Sequence, residues 1–134
     1  MRGLVAAVVT PMNEKGDLNL NLVPKVVDYL ATKGITGIYI AGSTGEGMSL
    51  TDEERREVAE AYVFAAKGRM KSFVQVGHNS LKASADLAGH AEAIGADAVS
   101  ATPTGYFKAS SEAELVEGLL PIAEAAPKTP FYYY

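Results

Sequence analysis

The six residues Gly42-Ser43-Thr44-Gly45-Glu46-Gly47 have the types and spacing to hold an anion. Glycines let backbone N–H groups turn inward and approach a ligand closely. Ser43 and Thr44 add two hydroxyl donors, and a helix beginning near Thr51 points its positive end the same way. Such a loop suits a small carboxylate or phosphate. A hydrogen bond to a charged group is worth about 1.5–3 kcal/mol, so two or three supply about 4–6 kcal/mol. After ordering costs, that is roughly millimolar binding. The six residues are neither a P-loop, which needs Gly-Lys-Ser/Thr, nor the G-x-G-x-x-G dinucleotide fingerprint. The competing reading is a tight strand-to-helix connection in which the glycines only permit turning.

Few other side chains could do chemistry. Glu46 is a candidate general base, but its carboxylate is better suited to satisfying backbone donors of its own loop. His78 follows an apolar run and reads as a solvated loop histidine with a possible role toward substrate. His90 reads as a surface residue of a helix. Asp52-Glu53-Glu54 complements a helix dipole and is not a carboxylate dyad. Tyr134 closes the run Pro130-Phe131-Tyr132-Tyr133-Tyr134 and on its own reads as a core aromatic. Tyr132 and Tyr133 should alternate faces, with one packing outward against a helix.

The elements that would position these residues alternate. Short apolar runs at Leu4–Val9, Gly37–Ala41, Phe73–Val76, Ala98–Ala101 and Phe131–Tyr134 predict strands. The first four each lead through Gly, Ser, Thr, Asn or Pro into an amphipathic helix. The first helix carries the stripe Leu22, Val23, Val26, Val27 and Leu30, with Asn21 as its cap and Gly34 at its end. The second carries Val58, Ala59, Tyr62, Val63 and Ala66 behind a Thr51/Glu54 capping box. The third carries Leu87, Ala88, Ala91 and Ile94. The fourth opens on Ser111-Glu112-Ala113-Glu114 and carries Leu115, Val116, Leu119 and Leu120. Pro121 predicts a kink or early stop there. Strands alternating with helices at this spacing predict a parallel sheet, and nearly continuous apolar strands predict that both its faces are covered. Two architectures fit, a doubly wound open sheet and a (β/α) barrel, and both collect ligand sites at the C-terminal ends of the strands. The functional loops are then Thr10–Leu18, Gly42–Leu50, Gly77–Ser80 and Thr102–Ser110.

Composition removes several function classes. The 134 residues are 48% hydrophobic and 21% charged, as in a globular chain. A net charge of −4 offers no basic field for nucleic acid. No apolar run approaches the roughly 20 residues that span a bilayer. Cys is absent, which removes disulfides and thiolate metal sites, and two histidines are too few for a His-rich metal site. Met1-Arg2-Gly3-Leu4-Val5 lacks signal-peptide anatomy. The expectation is a soluble cytoplasmic protein with a small-molecule substrate, no metal and no cofactor.

Gly42-Ser43-Thr44-Gly45-Glu46, the Thr10-Pro11 turn, Leu50-Thr51-Asp52-Glu53-Glu54-Arg55, Gly95-Ala96-Asp97 and the Phe-Tyr-Tyr-Tyr ending together resemble the pyruvate-dependent class I aldolase superfamily. That superfamily contains dihydrodipicolinate synthase, and the tyrosine-rich ending tilts the resemblance to its N-acetylneuraminate lyase branch. The resemblance implies a (β/α)₈ TIM barrel, with residues 1–134 as the N-terminal half of a single barrel domain, about four and a half βα units, and the C-terminal half absent. It implies cleavage of N-acetylneuraminate to N-acetylmannosamine and pyruvate through a lysine Schiff base, the lysine lying beyond Tyr134. By position, Ser43 and Thr44 match the pair that binds the pyruvate carboxylate, and Tyr134 matches the catalytic proton shuttle. Tyr106 lies near a tyrosine that some relatives donate across a subunit interface, and the family suggests a homotetramer. Two alternatives stand beside this reading. One is dihydrodipicolinate synthase or another sugar-acid aldolase. The other is a non-catalytic half-barrel binding or assembly module.

Overall fold

The computed structural model describes residues 3–134. Met1 and Arg2, part of the segment read for leader anatomy, lie outside the described residues. Five strands alternate with four helices: β1 (Val5–Ala7), α1 (Val23–Thr32), β2 (Gly37–Ile40), α2 (Asp52–Ala66), β3 (Lys71–Gln75), α3 (Leu81–Ala93), β4 (Ala98–Ala101), α4 (Glu112–Glu124) and β5 (Phe131–Tyr133). The sheet is wholly parallel, in the order β1-β2-β3-β4-β5. That order decides between the two architectures. A doubly wound sheet reverses its strand order at a switch point, whereas a barrel winds always onward to the next neighbour. The onward order is the winding of a (β/α) barrel. Helices α1 to α4 pack each against the next along one face of the sheet.

The register divides each strand into two faces. Val8, Ile38, Ile40, Val74, Val76, Val99 and Ala101 are buried under the helices. Val5, Ala7, Tyr39, Phe73, Ser100 and Tyr132 lie on the other face, where Tyr39 pairs with Phe73 and Ser100 with Tyr132. Residues of β1 and β5 line one common cavity, so the sheet curls and this second face is concave. Here the structure departs from the expectation that both faces are covered. Among the described residues nothing lies over the concave wall: Val5 is 45% exposed and Tyr132 48%.

The helices form where the apolar stripes predict, with three corrections. Asn21 does not cap α1. It sits in a 3-10 turn, Leu20–Leu22, and α1 begins behind it with Pro24 in the first turn, where a missing N–H costs nothing. Helix α4 does not stop at Pro121 but runs on to Glu124, because the buried Ile122 keeps that turn on the core. Its inward face is Leu115, Leu119 and Ile122, while Val116 and Leu120 point to solvent. Helix α2 follows the prediction in full: Thr51 and Glu54 exchange both bonds of a capping box, and Val58, Ala59, Tyr62, Val63 and Ala66 are all buried. Gly34 and Gly95, which end matching helix-to-strand turns, both take left-handed φ, at 72° and 82°. Among the described residues no helix is long and apolar enough to cross a membrane.

The face opposite the site is pinned by charge. Asp97 accepts from Lys71 Nζ at 2.5 Å, from Ser72 N–H at 3.0 Å and from the Ser72 hydroxyl at 3.3 Å. Burial opposes the carboxylate charge, yet these donors outweigh it and hold Asp97 below the usual aspartate range. A folded pKa below the unfolded value adds stability above the unfolded pKa and loses it as pH falls through the folded one. Asp97→Asn should therefore cost about 1 kcal/mol at pH 7, given its partial exposure. In thermal melts the gap between wild type and variant should close as pH falls below 4. Gly118 in α4 has open space around its missing Cβ. Gly118→Ala should gain about 0.5–1 kcal/mol in urea denaturation.

Candidate active site

The loop Gly42–Gly47 leaves β2 at the rim where all the strand C-termini lie, and its form is set by close backbone packing. A Cβ on Gly47 would stand 1.9 Å from the Ala41 carbonyl oxygen, so only glycine fits there. Gly47 N–H donates to the Gly42 carbonyl at 3.1 Å, and Glu46 N–H to the Ser43 carbonyl at 3.1 Å. Thr10 Oγ1 donates to the Gly45 carbonyl at 2.6 Å, tying the loop to the exit of β1. Ala41 and Glu46 both hold left-handed φ, at 55° and 53°. Each costs of order 1–2 kcal/mol for a residue with a Cβ, a strain that concentrates at functional loops. The backbone is thereby coiled with its carbonyls turned inward to partners. The N–H groups of Ser43, Thr44 and Gly45 and the two hydroxyls of Ser43 and Thr44 have no partner within the described residues. Five donors thus stand in three consecutive residues, a donor cradle at the rim.

A cavity of about 440 Å³ brings the cradle to the concave wall. It is lined by Ser43 and Thr44 on one side and Tyr132, Tyr133 and Tyr134 on the other, with Tyr39, Phe73 and Ser100 between them. Tyr134 follows β5, its N–H donating to the Ala101 carbonyl at 3.1 Å, and its ring lies 5.9 Å from that of Tyr39. Tyr134 is not the core aromatic that its strand alone suggests, since it is 77% exposed and faces the cavity. Tyr132 stacks edge-on against Phe73 at 5.5 Å. Tyr133, at the edge of this cavity, also borders the loop before α4.

Sequence reasoning missed Tyr39 and Ser100. The Tyr39 hydroxyl and Ser100 Oγ are hydrogen-bonded at 3.1 Å across the sheet. The signal was available as period two: Tyr39 alternates with Ile38 and Ile40, and Ser100 with Val99 and Ala101, so each must face away from the helices. Burial raises the Tyr39 pKa, its bond to Ser100 pulls it back, and nearby Tyr134 raises it further. Tyr39 is therefore a neutral hydroxyl at neutral pH.

Other sequence candidates lie elsewhere. The Glu46 carboxylate is exposed and satisfies no backbone donor of its loop, contrary to expectation; only its main chain takes part in the turn. His78 lies outside the cavity, with Nδ1 accepting from Ser80 N–H at 2.9 Å and Nε2 3.8 Å from Asp52. His90 Nε2 meets Glu60 at 2.9 Å and links α3 to α2. Tyr106 is 80% exposed and edge-on to Phe107 at 4.8 Å, on the β4–α4 loop away from the cradle. Lys71 is paired with Asp97 on the opposite face, and Lys15 and Lys108 are exposed. Among the described residues no cluster of three or more His, Asp or Glu side chains could hold a metal ion.

Beneath the rim a buried cation braces the site. Arg55 is 2% exposed, and its guanidinium donates to the carbonyls of Gly77 at 3.0 Å and Gln75 at 2.8 Å. Gln75 Oε1 in turn accepts from Gly77 N–H at 2.5 Å. Tyr62 donates to the Val9 carbonyl at 2.7 Å, and burial pushes its pKa up to about 12. Helix α2 thus grips the exits of β1 and β3 on either side of the cradle.

The comparisons with known proteins agree with this geometry. The chain is 47% identical over its whole length to N-acetylneuraminate lyase A of Xenopus laevis, of which it spans 45%. It superimposes on N-acetylneuraminate lyase of Proteus mirabilis with a TM-score of 0.97 and 36% identity, covering 100% of this chain and 45% of that one. A dihydrodipicolinate synthase from Aquifex aeolicus follows with a TM-score of 0.92 and 28% identity, covering 100% and 45%. The chain thus spans about half the length of the relatives it matches. Residues 1–134 also match the model of the dihydrodipicolinate synthetase family from end to end, and the chain belongs to that family.

Proposed function

We propose that the protein to which this chain belongs is an aldol lyase that cleaves N-acetylneuraminate into N-acetylmannosamine and pyruvate. The observation that carries this reading is the single cavity on which the free donors of Ser43 and Thr44 converge with Tyr134. The higher identity to N-acetylneuraminate lyase than to dihydrodipicolinate synthase supports the choice of sugar acid. Residues 1–134 are the N-terminal half of one barrel domain, and the imine-forming lysine lies on a strand after Tyr134.

In this reading the Ser43–Gly45 donors hold the carboxylate of a 2-oxo acid. A lysine amine condenses with the adjacent carbonyl and releases water. The protonated imine then draws in the electron pair of the breaking carbon–carbon bond. Tyr134 takes the proton from the hydroxyl that becomes the aldehyde of N-acetylmannosamine. A proton returned to the enamine carbon, followed by hydrolysis of the imine, releases pyruvate and restores the lysine. A phenol relays protons at neutral pH only where neighbours support it, and the imine and nearby hydroxyls fill that role. We read the protein as a cytoplasmic homotetramer; the exposed Tyr106–Phe107 pair is the kind of surface that a partner subunit covers.

The product of the complete reading frame tests the reading. Pyruvate with borohydride should label it irreversibly, and unlabelled but active protein would rule out imine chemistry. Turnover of aspartate semialdehyde with none of N-acetylneuraminate would instead assign the synthase activity. Ser43→Ala or Thr44→Val should each raise KM for the 2-oxo acid roughly 10- to 100-fold, the loss of one charged hydrogen bond. Tyr134→Phe should lower kcat by about 10²–10⁴ with substrate binding retained. Gly47→Ala should cost about 1–3 kcal/mol of stability by overpacking, seen in urea melts, and should weaken carboxylate binding with it.

A further inference from the structure

Tyr39 touches both halves of the proposed chemistry. A Cβ added at Gly42 would meet the Tyr39 ring at 2.7 Å, so the ring lies flush against the residue that opens the cradle. On its other side the ring is tilted by 42° against that of Tyr134, with centroids 5.9 Å apart. Its far end is tethered to β4 by the 3.1 Å bond to Ser100 Oγ. Strand β2 holds the near end in register with β1 and β3. The ring is therefore fixed at both ends, in the gap between the Ser43–Thr44 donors and the Tyr134 phenol. Tyr134, by contrast, is 77% exposed, and its hydroxyl has no hydrogen-bond partner among the described residues. Its contact with Tyr39 is its only ring contact there.

We propose that Tyr39 is a positioning residue, which through Gly42, Ser100 and the Tyr134 ring fixes the distance from the carboxylate cradle to the proton-relaying hydroxyl. The proposal rests on the reading of Ser43, Thr44 and Tyr134 given above. Burial and the proximity of Tyr134 both favour the neutral Tyr39 hydroxyl, so it serves as a fixed donor to Ser100 while Tyr134 exchanges protons. Without the tether, the ring is free to swing and the Tyr134 phenol loses the surface that orients it. Misplacement by an ångström is enough to cost 10- to 100-fold in rate.

The test uses the complete protein, with pyruvate–borohydride labelling of the wild type as a separate arm. Failure of that arm overturns the imine reading itself, whatever the variants do. With labelling intact, Tyr39→Phe keeps the ring and removes the tether. It should lower kcat about tenfold, change KM for pyruvate in the reverse direction less than twofold, and shift the alkaline limb of the kcat–pH profile. Ser100→Ala removes the same bond from the other side and should reproduce that phenotype. The double variant should be no worse than either single one, because the bond can be lost only once. Tyr39→Leu removes the ring as well and should raise KM in addition. Wild-type kcat and pH profile in Tyr39→Phe, or losses that multiply in the double variant, would overturn the positioning role. So would an equal fall in thermal stability and kcat with an unmoved pH profile, the signature of a residue that only packs.

Discussion

Everything in this chain follows from winding a parallel sheet in one direction. Each strand is followed by a right-handed crossover, so each helix falls on the same side of the sheet as the last. The helices bury that side of the three central strands. They leave the other side to the strands' own side chains, and they bring every strand C-terminus to one rim. Burial of Ile38, Ile40, Val74 and Val99 under the helices is thus the same event as presentation of Tyr39, Phe73 and Ser100 on the concave wall. Because the side-chain period of a strand is two, neither can change without the other.

The rim requires bracing, because loops alone cannot hold donors to within a fraction of an ångström. Helix α2 provides the brace through polar side chains buried at its upper end and along its length. Arg55 takes the carbonyls that β3 and its loop leave unpaired, and Tyr62 takes that of Val9. A buried guanidinium is costly unless its donors are met, and here three bonds to Gln75 and Gly77 meet most of that cost. The loop after β2 adds its own rigidity through the Gly47–Ala41 contact and the left-handed Ala41 and Glu46. Strain in the loop and burial in the helix are two sides of one design: the packed helix supplies the stability that the strained loop consumes.

Much of this was legible in the residues. The stripe of α2, the Thr51 capping box and the Gly34 and Gly95 turns each obey a local rule, and each appears in the structure. Strand order was not legible, because a doubly wound sheet and a barrel share the same local pattern and differ only in which neighbour a strand chooses. The exposure of Ser43 and Thr44 at the rim was legible because glycines flanking two hydroxyls at a strand exit make a poor packing element. Tyr39 was legible only through its period of two, a signal that the apolar run around it masks. The Glu46 carboxylate misled for the opposite reason: a charged group in a loop invites a partner, while the loop needed only its backbone. In α4 the apolar residues outnumber the positions that α3 and β4 can cover, so Val116 and Leu120 stay exposed.

The cradle and the wall also divide the energetics of binding. In the proposed function, donors on the Ser43–Gly45 segment offer about 4–6 kcal/mol to a carboxylate, an affinity near millimolar after ordering costs. Such a site releases a small acid readily, and any firmer hold must come from a covalent bond. The aromatic wall acts on the remainder of the ligand. Tyr39, Phe73, Tyr132 and Tyr134 line the cavity with ring faces and edges against which carbon can pack. Apolar surface beside a hydrogen bond lowers the local polarity and strengthens that bond. The same rings carry hydroxyls at their tips, so the wall is apolar where carbon must pack and protic where a proton must move. A sheet face of aliphatic residues would give the first property without the second, which is why the concave face of this sheet is rich in tyrosine.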